Sequence, residues 1–393
     1  MNIQTNEQTP ECLLEKAREI TVVEVKTRRQ QRDFLQFPLR LYRDNPCFVP
    51  PLYADEKKIF RADYVYHDTC KAIFFNAYRN GIMCGRISGI LQRAANEKNR
   101  ERRIRFTRFD CIDDQNVADA LFAALEKWAL AEGMDTVCGP LGYSDLEREG
   151  LLVEGFDEVS TFEEQYNASY YADLIEHCGY RKEVDWLECK LYAPEENDGK
   201  LAEMADFIMK RYHLHFGEAK NVNDFIRRYG DAFFDLLDLS YADLYGTVPF
   251  TDGMKKMLIS NFRLIVDLKN VAVILDENDR VVCLGLCFPS LAEALQKSQG
   301  HLTPAALLRL LRAMRHPRVM DLGLVAVAPE YTNRGVITVF IAHLMKILSD
   351  GEIEYCETNL NLEDNYSIRN CWKRFRAVNH KRRRSYVKEL SAK

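Results

Sequence analysis

An internal repeat constrains the fold of this chain more than any other feature of its sequence. In the first half, residues 71–91 (KAIFFNAYRNGIMCGRISGIL) place two strand-like runs around an Asn-Gly pair, which predicts a β-hairpin. In the second half, residues 270–291 (NVAVILDENDRVVCLGLCFPSL) repeat that plan around an Asp- and Asn-rich turn. Repetition at this distance indicates two copies of one structural unit.

The elements that follow each hairpin agree in order and type. Each copy continues with a strand, an amphipathic helix that ends at a glycine, a second strand, a short helix opened by an asparagine and a closing strand. In the two copies these elements fall at 103–113 and 319–329, 114–133 and 335–351, 134–141 and 353–360, 167–180 and 365–378, and 183–192 and 382–390.

The repeat predicts a mixed α/β fold built from two tandem modules, at residues 20–195 and 200–393. The charged segment 193–200 (APEENDGK), which contains proline and glycine, suits a linker between them. The second copy also carries an insertion at 292–316, where Thr303-Pro304 has the pattern of a helix cap followed by proline in the first turn.

Composition disfavours several classes of function. The 393-residue chain has a formal net charge of -5 and a pI near 6.0, so nucleic acid is not an expected partner. Its 12 cysteines are scattered and follow no secretory leader pattern, which favours reduced thiols in the cytoplasm and no metal site. No apolar run reaches the roughly 18 residues that span a bilayer, so no membrane partner is expected.

Two charged clusters allow more than one interpretation. The basic cluster Lys381–Arg384 lies in a strand-like pattern and is interpreted as a solvated face, with a phosphate or acidic-substrate contact as the alternative. The acidic segment 144–150 (SDLEREG) is interpreted as a solvated loop, with a cationic substrate site as the alternative.

The segment 328–337 (APEYTNRGVI) joins an apolar strand to an apolar helix in the second copy. The free N–H groups of a first helical turn favour a bound phosphate, and a glycine such as Gly335 lets the backbone approach it closely. Arg334 could add positive charge. On these residues alone, an ordinary turn remains an alternative to an anion site.

Together the order of elements and this loop resemble the Gcn5-related N-acetyltransferase (GNAT) family, as a tandem pair covering most of the chain. The preceding VAVAPEY (325–331) is typical of that family, whose pyrophosphate motif is Arg/Gln-x-x-Gly-x-Gly/Ala. The central glycine is kept, whereas a threonine and an isoleucine replace the first and last motif residues. The matching positions are Thr332, Asn333, Arg334, Gly335, Val336 and Ile337. An uncharacterised bacterial family with a YxxNPxxVPPL segment is also similar, through YRDNPCFVPPL (42–52).

The resemblance implies transfer of an acyl group from acetyl-CoA or another acyl-CoA to the amine of a small molecule or peptide. Backbone groups on the strand before the loop would hold the pantetheine arm, and side chains at the cleft would supply the base. The tyrosine that often protonates the leaving thiolate is replaced by Trp372. The strand residues are Val325, Ala326 and Val327; the base candidates are Asp321, Glu357 and Tyr331; the substitute acids are Tyr366 and Tyr355, near the helix-opening Asn365.

In the first copy the equivalent turn is acidic and lacks glycine, with Asp110, Asp113 and Asp114, so only the second copy is expected to bind CoA.

Two other functions remain open: an inactive acyl-CoA-binding or interaction module, and a Fem-like aminoacyl transferase that uses charged tRNA. Paired copies could satisfy each other's sheet edges within one chain, which favours a monomer with pseudo-dimeric halves.

Overall fold

The structure is a computed structural model that describes residues 19–195 and 199–391. The predicted linker at 193–200 therefore falls partly outside the described residues. Within the described part of the chain, no helix is both long enough and apolar enough to cross a membrane.

The first half follows the predicted element order. Its hairpin turns at Asn80 and Gly81, both in the left-handed region at φ 51° and 76°, which is the conformation that an Asn-Gly pair favours. The elements are β1 (Ile20–Glu24), α1 (Arg28–Leu41), α2 (Tyr53–Glu56), β2 (Cys70–Arg79), β3 (Ile82–Gln92), α3 (Arg93–Asn99), β4 (Arg103–Cys111), α4 (Gln115–Ala131), β5 (Thr136–Gly139), β6 (Leu151–Glu154), α5 (Tyr171–His177) and β7 (Arg181–Tyr192).

The second half repeats this order with an inserted helical pair. Thr303 caps the second inserted helix by accepting a hydrogen bond from the Ala306 N–H at 3.1 Å, as its sequence pattern predicts. The elements are α6 (Lys200–Arg211), β8 (His215–Phe216), α7 (Val222–Ser240), α8 (Asp252–Ile265), β9 (Val271–Leu275), β10 (Val281–Pro289), α9 (Ala292–Ser298), α10 (Pro304–Arg315), β11 (Val319–Val327), α11 (Ile337–Ser349), β12 (Tyr355–Thr358), β13 (Asn361–Leu362), α12 (Tyr366–Trp372) and β14 (Arg376–Glu389).

The strands of both halves join one mixed sheet in the order β1-β2-β3-β4-β5-β14-β7-β12-β11-β10-β9-β8. The closing strands are exchanged: β14 pairs with β5 of the first half, and β7 pairs with β12 of the second. The two closing strands also pair with each other over most of their length. The repeat predicts both strands but not this exchange, because which strands lie side by side depends on contacts between residues far apart in the sequence.

One helix packs closely on each half of the sheet. A Cβ at Gly85 would lie 2.8 Å from Val117 of α4, and a Cβ at Gly285 would lie 2.2 Å from the ring of Phe340 of α11. Both glycines occupy the third strand of their module, so the two halves use the same close approach of helix to sheet. This confirms the predicted α/β class and the equivalence of the two modules.

Candidate functional site

The turn after β11 has the geometry that its sequence predicts. Residues Pro329–Arg334 form a short 3₁₀ helix, Gly335 adopts a left-handed φ of 72°, and α11 begins at Ile337. Thr332, Asn333 and Arg334 are exposed, whereas Val336 is buried. The side chain of Ile337 is partly buried and packs against the hydrophobic core of the second half.

Helix α6 lies against this turn. A Cβ at Gly335 would be 3.4 Å from Cδ1 of Ile208. The guanidinium of Arg334 sits 5.5 Å from the ring centroid of Tyr212 and 4.8 Å from that of Tyr331. The arginine that was expected to meet a phosphate is therefore held over two aromatic rings at the edge of the turn.

The strand edge expected to hold a pantetheine arm is occupied by two side chains from the end of α7. The Tyr241 hydroxyl donates to the Val325 carbonyl at 2.9 Å and accepts from the Val325 N–H at 3.4 Å. Ser240 donates to the Val327 carbonyl at 3.0 Å. The loop leaves Thr332 and Asn333 exposed to a ligand, whereas the strand edge can hold a pantetheine arm only if Tyr241 and Ser240 move away.

The first half caps the equivalent edge in the same way. The Tyr171 hydroxyl accepts from the Cys111 N–H at 2.9 Å, and Cys111 pairs with Gly85 just as Val325 pairs with Gly285. A tyrosine hydroxyl thus satisfies the same backbone position in both modules.

The carboxylates of the acidic turn in the first half cap a helix and form ion pairs. Asp114 accepts from the Asn116 N–H at the start of α4 and pairs with Arg79 at 2.5 Å. Asp110 pairs with Arg86 at 2.7 Å. That this half has no CoA site remains a prediction, and these carboxylates would oppose a pyrophosphate there.

Two of the predicted catalytic residues come together on the sheet. Asp321 of β11 and Glu357 of β12 are register partners in a parallel pair and so share one face. Both are buried, and the Asp321 carboxyl has no well-aligned hydrogen bond among the described residues, with the Ser290 side chain as its polar neighbour. Glu357 accepts a hydrogen bond from Lys381 and lies 3.2 Å from Nε2 of His380.

The two carboxyls are in opposite electrostatic settings. Burial, reinforced by the negative charges of Glu357 and Glu163, raises the pKa of Asp321 well above its usual range. Burial also raises the pKa of Glu357, but Lys381 and His380 outweigh it and hold that pKa below its usual value. The pair therefore combines a carboxyl whose surroundings favour the protonated form with one whose surroundings favour the ionised form, the arrangement of an acid and a base.

Segment 158–165 covers this pair. Glu163 accepts from Asn359 Nδ2 at 3.0 Å, and the same amide donates to the Gly323 carbonyl at 3.1 Å where β11 and β12 separate. Burial raises the pKa of Glu163 to about 7. The ring of Phe162 packs 5.6 Å from that of Phe288, the register partner of Asp321, and so lies beside the pair.

The basic cluster is not a solvated face, contrary to its sequence interpretation. Lys381 and Arg383 are fully buried, and both bond to Glu188 of β7, at 3.2 Å and 2.6 Å. Arg382 and Arg384 are mostly buried and pair with Asp185. The interpretation fails because the strand exchange places β14 beside an acidic stretch of β7, and a local pattern cannot report that neighbour.

The acidic segment 144–150 is likewise not a solvated loop. Glu149 is buried, and Glu147 accepts from the Tyr64 hydroxyl at 2.9 Å and lies 3.8 Å from Arg108. Asp145 accepts from the Val248 N–H at 3.3 Å. Asp145 thus joins this segment to the loop that follows α7, while Glu147 is bonded within the first half, so these carboxylates form no open cationic site.

Of the remaining candidates, Tyr355 lies near the pair, two residues before Glu357 on β12, where burial and the charges of Glu357 and Asp321 raise its pKa. The others lie on or next to α12. Asn365 caps α12 by accepting from the Ile368 N–H at 3.3 Å, while Tyr366 is 67% exposed on the molecular surface. Trp372 is buried and donates to Asn361 Oδ1 at 3.2 Å. The sequence patterns do not single out His380, which contacts Glu357, or Glu188, which bonds Lys381; the alternating charges of the two closing strands are the sequence feature that points to them.

Comparison with known proteins supports the fold. The structure resembles a tandem GNAT protein from the clavulanic acid biosynthesis pathway, with a TM-score of 0.53 at 11% identity, covering 95% of this chain and 100% of that one. It also resembles a GCN5-related N-acetyltransferase from Sphaerobacter thermophilus, with a TM-score of 0.50 at 10% identity over 95% and 96% of the two chains. The chain therefore has a tandem GNAT fold, as predicted.

Two sequence relatives align with most of the chain at low identity. Protein YghO of Escherichia coli K12 is 26% identical over 366 residues, covering 91% of this chain and 92% of its own. A bacterial ceramide synthase of Caulobacter vibrioides is 26% identical over 299 residues, and the alignment covers 75% of this chain and 76% of the relative. No family model matches the chain.

Proposed function

We propose that this protein is an acyl-CoA-dependent N-acyltransferase whose chemistry takes place at Asp321 and Glu357. The observation that carries the proposal is this pair: two buried carboxyls on adjacent strands of a GNAT fold, the pKa of Asp321 raised and that of Glu357 lowered. The turn at Gly335 supports the proposal, because it offers a helix start for the CoA pyrophosphate.

In the proposed reaction the amine nitrogen attacks the thioester carbonyl, and the carbon–sulfur bond breaks as the amide bond forms. Glu357 takes the proton that the amine loses, and Asp321 gives its proton to the departing thiolate. A proton that then passes from Glu357 to Asp321 restores both groups. Access to the pair requires the cover around Phe162 to open and Tyr241 to leave the strand edge.

The acceptor is proposed to be a long-chain amino alcohol. Support comes from the Caulobacter relative, since a ceramide is the N-acyl derivative of such an amine. The test is thiol release from acetyl-, octanoyl- and palmitoyl-CoA in the presence of sphinganine, a polyamine, an amino sugar or a lysine peptide. Turnover with any of these amines supports the transferase; preference for sphinganine supports the acceptor.

Replacement of the proposed base tests the site. Glu357→Gln should lower kcat by about 100-fold or more, because it removes the proton acceptor while keeping the side-chain shape. The matched control is Glu354→Gln, which changes an exposed glutamate just before the same strand. Equal activity of the two variants would place the chemistry elsewhere.

A specific observation favours a second function, an acyl-CoA-binding module without turnover. Tyr241 and Ser240 occupy the strand edge, and Trp372 replaces the tyrosine that often acts as acid. Tyr241→Phe removes the hydroxyl from Val325 and should tighten palmitoyl-CoA binding in calorimetry, with Tyr171→Phe as the control in the other half. Binding without thiol release on any amine would select this function.

Fem-like transfer loses its support, since all four basic residues of 381–384 pair with acids inside the protein.

A further inference from the structure

Helix α10 leaves a row of leucines in solvent. Leu308 is 69% exposed, Leu307 54% and Leu311 40%, and Leu302 just before the helix is 58% exposed. At 3.6 residues per turn, the three helical leucines fall within about 100° of the helix circumference. We call these four side chains the leucine face. Adjacent exposed leucines of this kind are uncommon on a free protein surface and indicate a contact surface.

The opposite side of α10 is anchored to the protein. Leu310, Ala313 and Met314 pack against a cluster that contains Leu291 and Leu295. Thr303 caps the helix, and Pro304 begins it. The helix is therefore held in place with its leucine face outward, so the exposure of the leucines does not come from a frayed segment.

Positive charge borders the leucine face. Residues 301–316 (HLTPAALLRLLRAMRH) hold three arginines and two histidines and no acidic residue, in a chain whose net charge is -5. Arg309, Arg312 and Arg315 are exposed and follow one another at helical spacing, beside the leucines. Exposed leucines next to a basic row are the pattern of a helix that lies in the interface of a negatively charged bilayer.

We propose that α10 docks this protein on the surface of an anionic lipid bilayer, with the leucine face among the upper acyl chains and the arginines on the lipid phosphates. A second copy of the chain fits this surface less well: a twofold contact would bring two acid-free basic rows together. Nucleic acid would satisfy the arginines but leave the leucines exposed. The expectation of no membrane partner rested only on the lack of a spanning segment, and a surface helix does not need one.

The position of α10 adds a functional consequence. Phe162, which covers the Asp321–Glu357 pair, belongs to the same packed cluster as Leu310 and Met314. A lipid-bound α10 would thus lie next to the cover of the buried carboxyls. This consequence rests on the proposed acyl transfer, whereas the docking itself does not.

Vesicle flotation tests the docking without any acyl-CoA. The full-length protein should float with vesicles of phosphatidylglycerol and phosphatidylcholine in equal amounts, and only weakly with phosphatidylcholine alone. Leu307→Ser/Leu308→Ser should abolish flotation, and each change of Arg309, Arg312 or Arg315 to Gln should weaken it by about fivefold. The control is Ile82→Ser, which alters a 72% exposed aliphatic side chain at a distant hairpin and should change nothing.

Thermal melting of every variant shows whether the fold is kept, and the three arginine variants keep the proposal testable if the leucine pair fails to fold. Two results would overturn it. One is flotation that is absent, or equal in the leucine, arginine and control variants. The other is a dimer in light scattering that Leu308→Ser converts to a monomer, which would assign the leucine face to a second copy. Flotation by a protein that shows no acyl transfer would leave the docking standing and reject only the proposed function.

Discussion

Lys381 neutralises two carboxylates in the middle of the sheet. Its ammonium is fully buried and bonds to Glu188 of β7 and Glu357 of β12. A buried cation contributes little net stability when paired, but its removal leaves buried negative charge without a partner. Lys381→Met should therefore lower the free energy of unfolding by about 3 kcal/mol or more. Urea denaturation measures this loss, with Lys297→Met, at an exposed ion pair with Glu293, as a control that should change stability by less than about 1 kcal/mol.

Glu164 gives stability a defined pH dependence. It is buried, and burial raises its pKa from the ordinary 4.5 to about 8. Because the pKa of Glu164 is higher in the folded state, its protonation stabilises the fold. This stabilisation is fully present below pH 4.5 and is lost as the pH rises through about 8. Each pKa unit corresponds to about 1.4 kcal/mol, so the decline should reach a few kcal/mol. Unfolding measured from pH 5 to 9 should show it, and Glu164→Gln should flatten the curve; an unchanged slope would show that Glu164 stays ionised.

The turn before α11 is the element that most directly tests acyl-CoA binding. Gly335 has a left-handed φ of 72°, which asparagine tolerates far better than glutamate does. Gly335→Asn should keep the fold and most acyl-CoA affinity, whereas Gly335→Glu should abolish binding through charge repulsion at the pyrophosphate. Calorimetric titration with palmitoyl-CoA, with a melting curve for each variant, makes the comparison. Equal affinity of the two variants would place the CoA elsewhere.

Elements formed by local interactions could be predicted from the sequence, and contacts between distant elements could not. The Asn80-Gly81 hairpin, the Thr303 cap and the Gly335 turn each depend on a few neighbouring residues, and each is present. The GNAT resemblance named Asp321 and Glu357 as separate base candidates, but not their pairing on adjacent strands, which depends on the register of β11 with β12. Burial of Arg383 could not be foreseen, because its partner Glu188 is 195 positions away.

At the scale of the whole molecule, the strand exchange completes the sheet of each half with a strand from the other half. Without β14, the β5 edge of the first half would lose its hydrogen-bond partner; without β7, the same holds for β12. Lys381 and Arg383 would also lose Glu188, which leaves buried charges unpaired in both halves. A single half therefore lacks both a strand and the counter-charges that its sheet requires.

Fragments 1–195 and 199–393 should accordingly fail to fold when they are expressed separately, and should form a stable one-to-one complex when they are expressed together. Size-exclusion chromatography and circular dichroism distinguish these states. The control is intact protein cut at a protease site placed at 196–198, which should stay associated because the closing strands remain paired. If either fragment alone melts cooperatively as a monomer, its sheet is stable without the exchanged strand, and the two modules fold independently before they interlock.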